Sequence, residues 1–243
     1  MEHIAHTGAS KETPRNRILA ALPPNEYQRM LPHLEEVDLV YNSRIVESGD
    51  RIRHIYFPNS GCVSVLADVE ENSTLVACVV GREGMAGGLP LFLGARTVPV
   101  CSIVMGAGTA MRMEANDFQN ECRNHGALPE LLKRFAYSIM IQLVRSSVCY
   151  QFHSIEERLA RWLLMIFDRM EATEFRMTQR FLSALIGVRR ESVTFAALSL
   201  RKKDLISYSR GNMMIIDRPG LQAAACNCYK IICAAENAFP TEN

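Results

Sequence analysis

The periodicity of apolar and polar positions changes along the chain, and each change predicts a different kind of element. Residues 17–34 carry apolar side chains at helical spacing, with Pro23 and Pro24 interrupting the run, which predicts an amphipathic helix with a break. From about residue 37 to residue 113, β-branched residues and glycine take over. Nine of the fourteen glycines lie between Gly49 and Gly108, and they separate short apolar runs such as 62–66, 75–80 and 98–104. Regular short strands with turn residues between them predict a β-roll or barrel. After Pro129, glycine and proline are absent up to residue 150. There Leu132, Phe135, Ile139, Leu143 and Ser146 form a stripe that fades from apolar to polar, predicting one helix of about six turns. Such a helix can pack on its own core or pair with a second copy, and Leu132, Phe135, Ile139 and Leu143 are the expected pairing positions.

A further change of period opens at Thr178. Leu182, Leu185 and Ile186 fall on one face of a short helix, Gly187 supplies a left-handed turn, and Val193, Ala197 and Leu200 repeat at i, i+4 and i+7 on a second helix. Two short helices sharing one core around a glycine have the spacing of a helix-turn-helix. Beyond them, residues 207–212 separate two apolar runs, the second at 213–216, and predict a hairpin with Arg210 near its tip.

Charge sharpens that picture. The predicted second helix begins with Arg189, Arg190 and Glu191, where the recognition helix of such a motif enters the major groove. A guanidinium can bond guanine O6 and N7 as a fork, and a carboxylate accepts from cytosine N4, so Arg190 and Glu191 are candidate base readers. Thr178, Gln179, Arg189 and Thr194 are candidate contacts beside them, and Arg210 is a candidate phosphate contact. From residue 178 to 210 there are seven basic residues against two acids, whereas the whole chain has a net charge of +1. The positive charge is therefore local, as expected of one phosphate-facing surface. A basic run alone is more often a solvated helix face. Its coincidence with the helix-glycine-helix spacing and the hairpin favours nucleic acid.

With 243 residues and 48% hydrophobic content, the chain can build two folded domains. No apolar run approaches the roughly 18 residues needed to span a bilayer, and the polar start lacks a secretory h-region, so a cytoplasmic protein without a membrane partner is expected. The eight cysteines fall mostly within apolar runs and read as buried small hydrophobes. Cys226, Cys228 and Cys233 are dense enough for thiol chemistry, but the CxC spacing lacks the CxxC pairs of ordinary zinc sites, so packing and no metal are expected. His33, His54, His125 and His153 are isolated, and His153 with Glu156 suits a hinge or cap. Catalysis is not indicated: no nucleophile-base pair or carboxylate pair is recognisable, and the glycine-rich stretch 81–88 lacks the lysine of a phosphate-cradling loop.

The β-rich segment with its phrase GMAGGLPLF at 84–92, the long helix, the segment ERLARWLL at 157–164 and the motif GVRRESV at 187–193 together resemble the Crp/Fnr superfamily of bacterial transcription regulators. That resemblance implies an α+β chain: an N-terminal cyclic-nucleotide-binding-like β-roll at 1–127, a dimerisation helix at 128–152 and a C-terminal winged helix-turn-helix at 153–243. It implies base contacts from Arg190 and Glu191, with Arg189 and the Thr178 region nearer phosphates, and as partners double-stranded DNA, a second copy and RNA polymerase. Cyclic-nucleotide members of the family hold their ligand with a glutamate, an arginine and polar residues on the long helix. Here those positions are Gly88, Val98 and Leu143 with Val144, and Arg96 lies two residues early. The pocket of Gly87, Gly88, Arg96, Val98 and Leu143 is thus degenerate, cyclic AMP is disfavoured, and no cofactor is expected. The iron-sulfur branch needs N-terminal cysteines, and none precedes Cys62. Arg189 also replaces the serine or threonine that often caps the recognition helix. The expected function is a homodimeric, sequence-specific regulator on a pseudo-palindromic site with recognition helix 189–200. The alternative is an effector-sensing or protein-interaction module that does not act by direct DNA binding.

Overall fold

The computed structural model describes residues 14–70, 73–170, 174–209 and 211–238. The break foreseen at the two prolines is real. Helix α1 (Arg17–Ala20) is capped by Asn16, whose side chain accepts from the Ile18 and Leu19 amides, and α2 (Pro24–Met30) starts afresh with Pro24 where a helix needs no amide donor. Asn16 is fully buried and donates through Nδ2 to the carbonyls of Pro58 and Gly84 at 3.0 and 2.8 Å, tying this end of the chain to the roll that follows.

The roll is two antiparallel sheets. One has the order β1-β7-β3, from β1 (Glu35–Leu39), β3 (His54–Pro58) and β7 (Gly108–Glu114). The other has the order β2-β6-β4-β5, from β2 (Arg44–Val46), β4 (Cys62–Glu70), β5 (Ser73–Val80) and β6 (Cys101–Gly106). A short helix α3 (Gly88–Phe92) lies in the connection to β6, and α4 (Ala115–Arg123) leads to the long α5 (Ala127–Phe152). The strand expected at 98–104 begins at Cys101 and runs to Gly106, while the Val98 carbonyl accepts from the Gly49 amide at 2.8 Å.

Helix α5 seats its first half in the roll. Leu128, Leu132 and Phe135 join Ile18, Leu19, Ile55, Phe57 and Phe118 in one core. Gly84 makes this approach possible: a Cβ there would lie 2.1 Å from Phe135 Cε2. Further along, Gln142 brackets β5, accepting from the Val79 amide at 2.8 Å and donating to its carbonyl at 3.3 Å.

The C-terminal half comprises α6 (Ile155–Met170), β8 (Glu174–Arg176), α7 (Gln179–Ile186), α8 (Arg190–Lys202), β9 (Ile206–Ser209), β10 (Asn212–Ile215), α9 (Arg218–Ala224) and α10 (Cys228–Asn237). Helix α6 starts with a reciprocal capping box: Ser154 Oγ accepts from the Glu157 amide, and the Glu157 carboxylate accepts from the Ser154 amide. The cap expected of His153 and Glu156 is therefore made by their neighbours, and Glu156 instead pairs with Lys203 at the end of α8. Trp162, Leu163, Leu182, Leu185, Val193, Leu200 and Met213 are completely buried in a core that also takes in Val76 and Val79 of the roll. The two halves consequently share packing. The buried Arg169 of α6 reinforces it by pairing with Glu83 of the roll at 2.7 Å and with Glu236 of α10, and the two carboxylates hold its guanidinium charged against the desolvation.

Candidate nucleic-acid interface

The expected helix pair forms as α7 and α8. Thr178 caps α7, its hydroxyl accepting from the Phe181 amide at 3.1 Å. Gly187 ends α7 at φ +63°, a left-handed conformation that suits glycine and lets the chain reverse into α8. Leu182, Leu185 and Ile186 face Val193, Ala197 and Leu200 as the spacing required, all buried. Arg189 is the N-cap of α8 and makes no side-chain cap bond, so the first amides of the helix have no side-chain acceptor from that residue.

Above this core the predicted residues divide. Arg189, Arg190, Glu191 and Thr194 are exposed together on the first turns of α8. The Thr194 hydroxyl donates back to the Arg190 carbonyl at 3.0 Å. Thr178 is exposed, but its hydroxyl oxygen is engaged in the cap. Gln179 is half-buried, and its Oε1 is buried with no hydrogen-bond partner among the described residues. Arg210 lies outside the described residues; the wing that would carry it is present as β9 and β10, with β8 added as a third strand in the order β8-β10-β9. Sequence reasoning passed over Phe195, which is 73% exposed one turn beyond Glu191. A large apolar side chain off the Val193/Ala197/Leu200 face was the signal that could have found it.

The face of α5 differs from the one expected. Leu132 and Phe135 are buried in the roll of their own chain and Ile139 is half-buried, because the drift of the apolar stripe follows the β-sheet beneath it. The large apolar side chains left outward are Tyr137, Met140, Leu143, Val144 and, at the helix end, Phe152, of which only Leu143 belonged to the expected set.

Between α5 and the roll is a cavity of about 290 Å³, lined by Gly87, Val98 and Leu143 as expected, together with Val46, Val80, Leu89, Val100, Phe135 and Ile139 among others. Gly88 and Arg96 do not line it. Gly88 is packed so closely that a Cβ would meet Met85 Sδ at 2.5 Å and Ile55 Cγ2 at 2.7 Å, and Arg96 is exposed on the loop before β6. Among the described residues no charged side chain lines the cavity, and Ser102 is the one hydroxyl. A cyclic nucleotide does not fit these residues, since nothing in the lining neutralises its phosphate. No helix among the described residues is long and apolar enough to cross a membrane.

Residues 157–224, spanning α6 to α9, match the Crp-like helix-turn-helix domain family. No curated protein matches the chain in sequence at a significant level. Solved structures do match its fold. One is the c-di-GMP-responsive global regulator CLP of Xanthomonas campestris, 18% identical over 79% of this chain and 99% of that one, with a TM-score of 0.64. Another is FixK2 of Bradyrhizobium japonicum, 12% identical over 79% and 98%, with a TM-score of 0.66. A third is a transcriptional regulator of the CRP/FNR family from Thermus thermophilus, 19% identical over 79% and 98%, with a TM-score of 0.64. Residues 157–224 thus carry a Crp-like helix-turn-helix domain, and the chain shares the fold of these solved regulators.

Proposed function

We propose that this DNA-binding regulator acts as a homodimer that reads a pseudo-palindromic site, with one α8 in the major groove of each half-site. The observation that carries the reading is the cluster of Arg189, Arg190, Glu191 and Thr194, exposed on one helix end over a fully buried two-helix core. A rigid base lets long side chains meet base edges with little further ordering. Arg190 is assigned to guanine, Glu191 to cytosine, Arg189 to phosphate, and Phe195 to a thymine methyl. Tyr137, Met140 and Val144 support pairing along α5, because they make an apolar seam on the side facing away from the roll. RNA polymerase is the further partner that an operator-bound regulator of this superfamily implies.

The effector belongs to the same reading. The uncharged lining of the cavity suits a small apolar molecule, and α5 forms one of its walls, so filling it would bias the helix on which the pairing seam lies.

Selection of DNA from a random duplex library by the purified protein tests this. A two-fold symmetric motif should be enriched without cyclic nucleotide, and binding should weaken steeply with salt through counterion release. No enrichment, with salt-independent retention of a protein partner, would instead make the winged helix a protein-interaction module.

A further inference from the structure

Four donor atoms from distant parts of the chain meet behind the helix-turn-helix. Cys149 is in the last turn of α5 and His153 is its C-cap, so their side chains leave the same helix end one turn apart. Cys226 follows α9, and Cys228 opens α10. Cys149 Sγ lies 3.5 Å from Cys226 Sγ, and Cys228 Sγ lies 3.7 Å from His153 Nδ1. All four ligand atoms are within 4.8 Å of one another. A regular tetrahedron around zinc, with bonds of about 2.3 Å to sulfur, has edges of about 3.8 Å. The three cysteines are at most 5% exposed, while the half-buried His153 leaves a way in.

Arg161 supplies an independent indication. It is 0% exposed and has no carboxylate partner among the described residues. Its guanidinium lies 4.3 Å from the centre of the Trp162 ring and donates weakly to Ser146 Oγ and Met165 Sδ, while Nε and Nη2 are buried without partners. It is close enough to interact electrostatically with the thiols of Cys149, Cys226 and Cys228. A buried cation without a counter-charge is strongly destabilising. A divalent ion held by three thiolates and a neutral imidazole carries one net negative charge, and that is the counter-charge Arg161 lacks.

We propose that Cys149, His153, Cys226 and Cys228 form a tetrahedral site for a single zinc-type divalent cation, with Arg161 as the cation that balances it. The donors are soft sulfur and imidazole, which suit zinc over magnesium or calcium. An iron-sulfur cluster would spread its ligands over several irons, whereas these atoms converge on one point. On binding, each of the three thiols releases its proton to water as its sulfur takes up a metal bond, and no electron is transferred. The site would staple the end of α5 to the segment behind the wing and so hold the recognition helix relative to the long helix. Cys233 takes no part, and the expectation that packing alone explains the C-terminal cysteines gives way for Cys226 and Cys228.

The test uses the reduced full-length chain, freed of metal and titrated with Co²⁺, followed by displacement with Zn²⁺ and metal analysis by mass spectrometry. One equivalent per chain should bind, with the visible bands of tetrahedral cobalt and a thiolate-to-cobalt charge-transfer band, and protein prepared without chelator should carry one zinc. Cys233→Ser should bind as the native chain does. Cys228→Ser should weaken binding at least tenfold, and His153→Cys should keep tetrahedral binding with a shifted spectrum. If Cys228→Ser fails to fold, as circular dichroism would reveal, the native chain, Cys233→Ser and His153→Cys still decide the matter. Absence of tetrahedral cobalt in the native chain, undiminished binding by folded Cys228→Ser, a Cys149–Cys226 disulfide in the purified protein, or the broad absorption of an iron-sulfur cluster would each overturn the proposal.

Discussion

Helix α8 and the cavity under α5 differ in charge. On α8 the charged side chains stand in solvent over an apolar core, whereas among the described residues no charged side chain lines the cavity under α5. Polar groups on an exposed helix end remain hydrated until they meet a partner, so Arg190 and Glu191 cost the fold almost nothing. A cation inside a closed apolar cavity would need a permanent counter-charge. Without such a counter-charge a cation there is a liability, and the valines and leucines that line the cavity are the stable solution. The difference teaches that one scaffold can carry exposed charge on a helix end and an uncharged cavity elsewhere, each set by how much solvent its side chains keep.

The comparison breaks most sharply if α5 does not pair the two reading heads. Met140→Glu combined with Val144→Glu alters side chains that are 51% and 52% exposed, so the protomer should still fold. Sedimentation should show a monomer, and affinity for the selected symmetric site should fall toward the non-specific level, about 10³-fold or more. A dimer with unchanged affinity would place the pairing surface elsewhere. Next in size, Arg190→Ala should weaken binding by about 1–3 kcal/mol and flatten the preference at one base pair per half-site, measured by anisotropy on a set of single-base variants. Uniform weakening on every sequence would reassign Arg190 to phosphate.

On the sensor side, Gly88→Glu restores the residue type that cyclic-nucleotide members use. The new side chain must displace Met85 and Ile55, so it should destabilise by about 1–3 kcal/mol, with no cyclic AMP binding gained by calorimetry. A variant as stable as the native chain that binds cyclic AMP would refute the account of the cavity. The smallest effect concerns the seating of the recognition helix. Hydrogen bonds from Lys203 and then Ser199 hold the Glu156 carboxyl below its ordinary range. Because the folded value is the depressed one, this contribution is present at neutral pH and lost as pH falls through the carboxylate range. Glu156→Gln should therefore lower stability by a few tenths of a kcal/mol near neutral pH, and melts in acid should converge with the native chain. Equal separation at both pH values would show that the carboxylate charge is not involved.

Legibility in the sequence followed the range of the interactions. Gly187, the buried faces of α7 and α8 and the exposed Arg190 follow from spacing within about thirty residues, where helical geometry settles which side chains share a face. The partition of α5 does not. Its apolar positions are sufficient for a pairing helix, but which of them meet a partner depends on the roll beneath, and only the contact of Phe135 with Gly84 and of Gln142 with Val79 decides that Tyr137, Met140 and Val144 remain outward. Phe195 was in plain view as a residue type, yet its exposure required knowing how far the core extends along α8.

By itself the sequence determined the α+β division, the helix-turn-helix and the local positive charge, because each is written in residue type and short spacing. Only the tertiary structure decided the outward seam of α5, the sealing of Gly88 and the exclusion of Arg96 from the cavity. It alone also brought together Cys149, His153, Cys226 and Cys228, which are up to 79 residues apart in the chain. The physical reason is common to all of these: long-range packing chooses which of several locally equivalent side chains become neighbours, and no local periodicity encodes that choice.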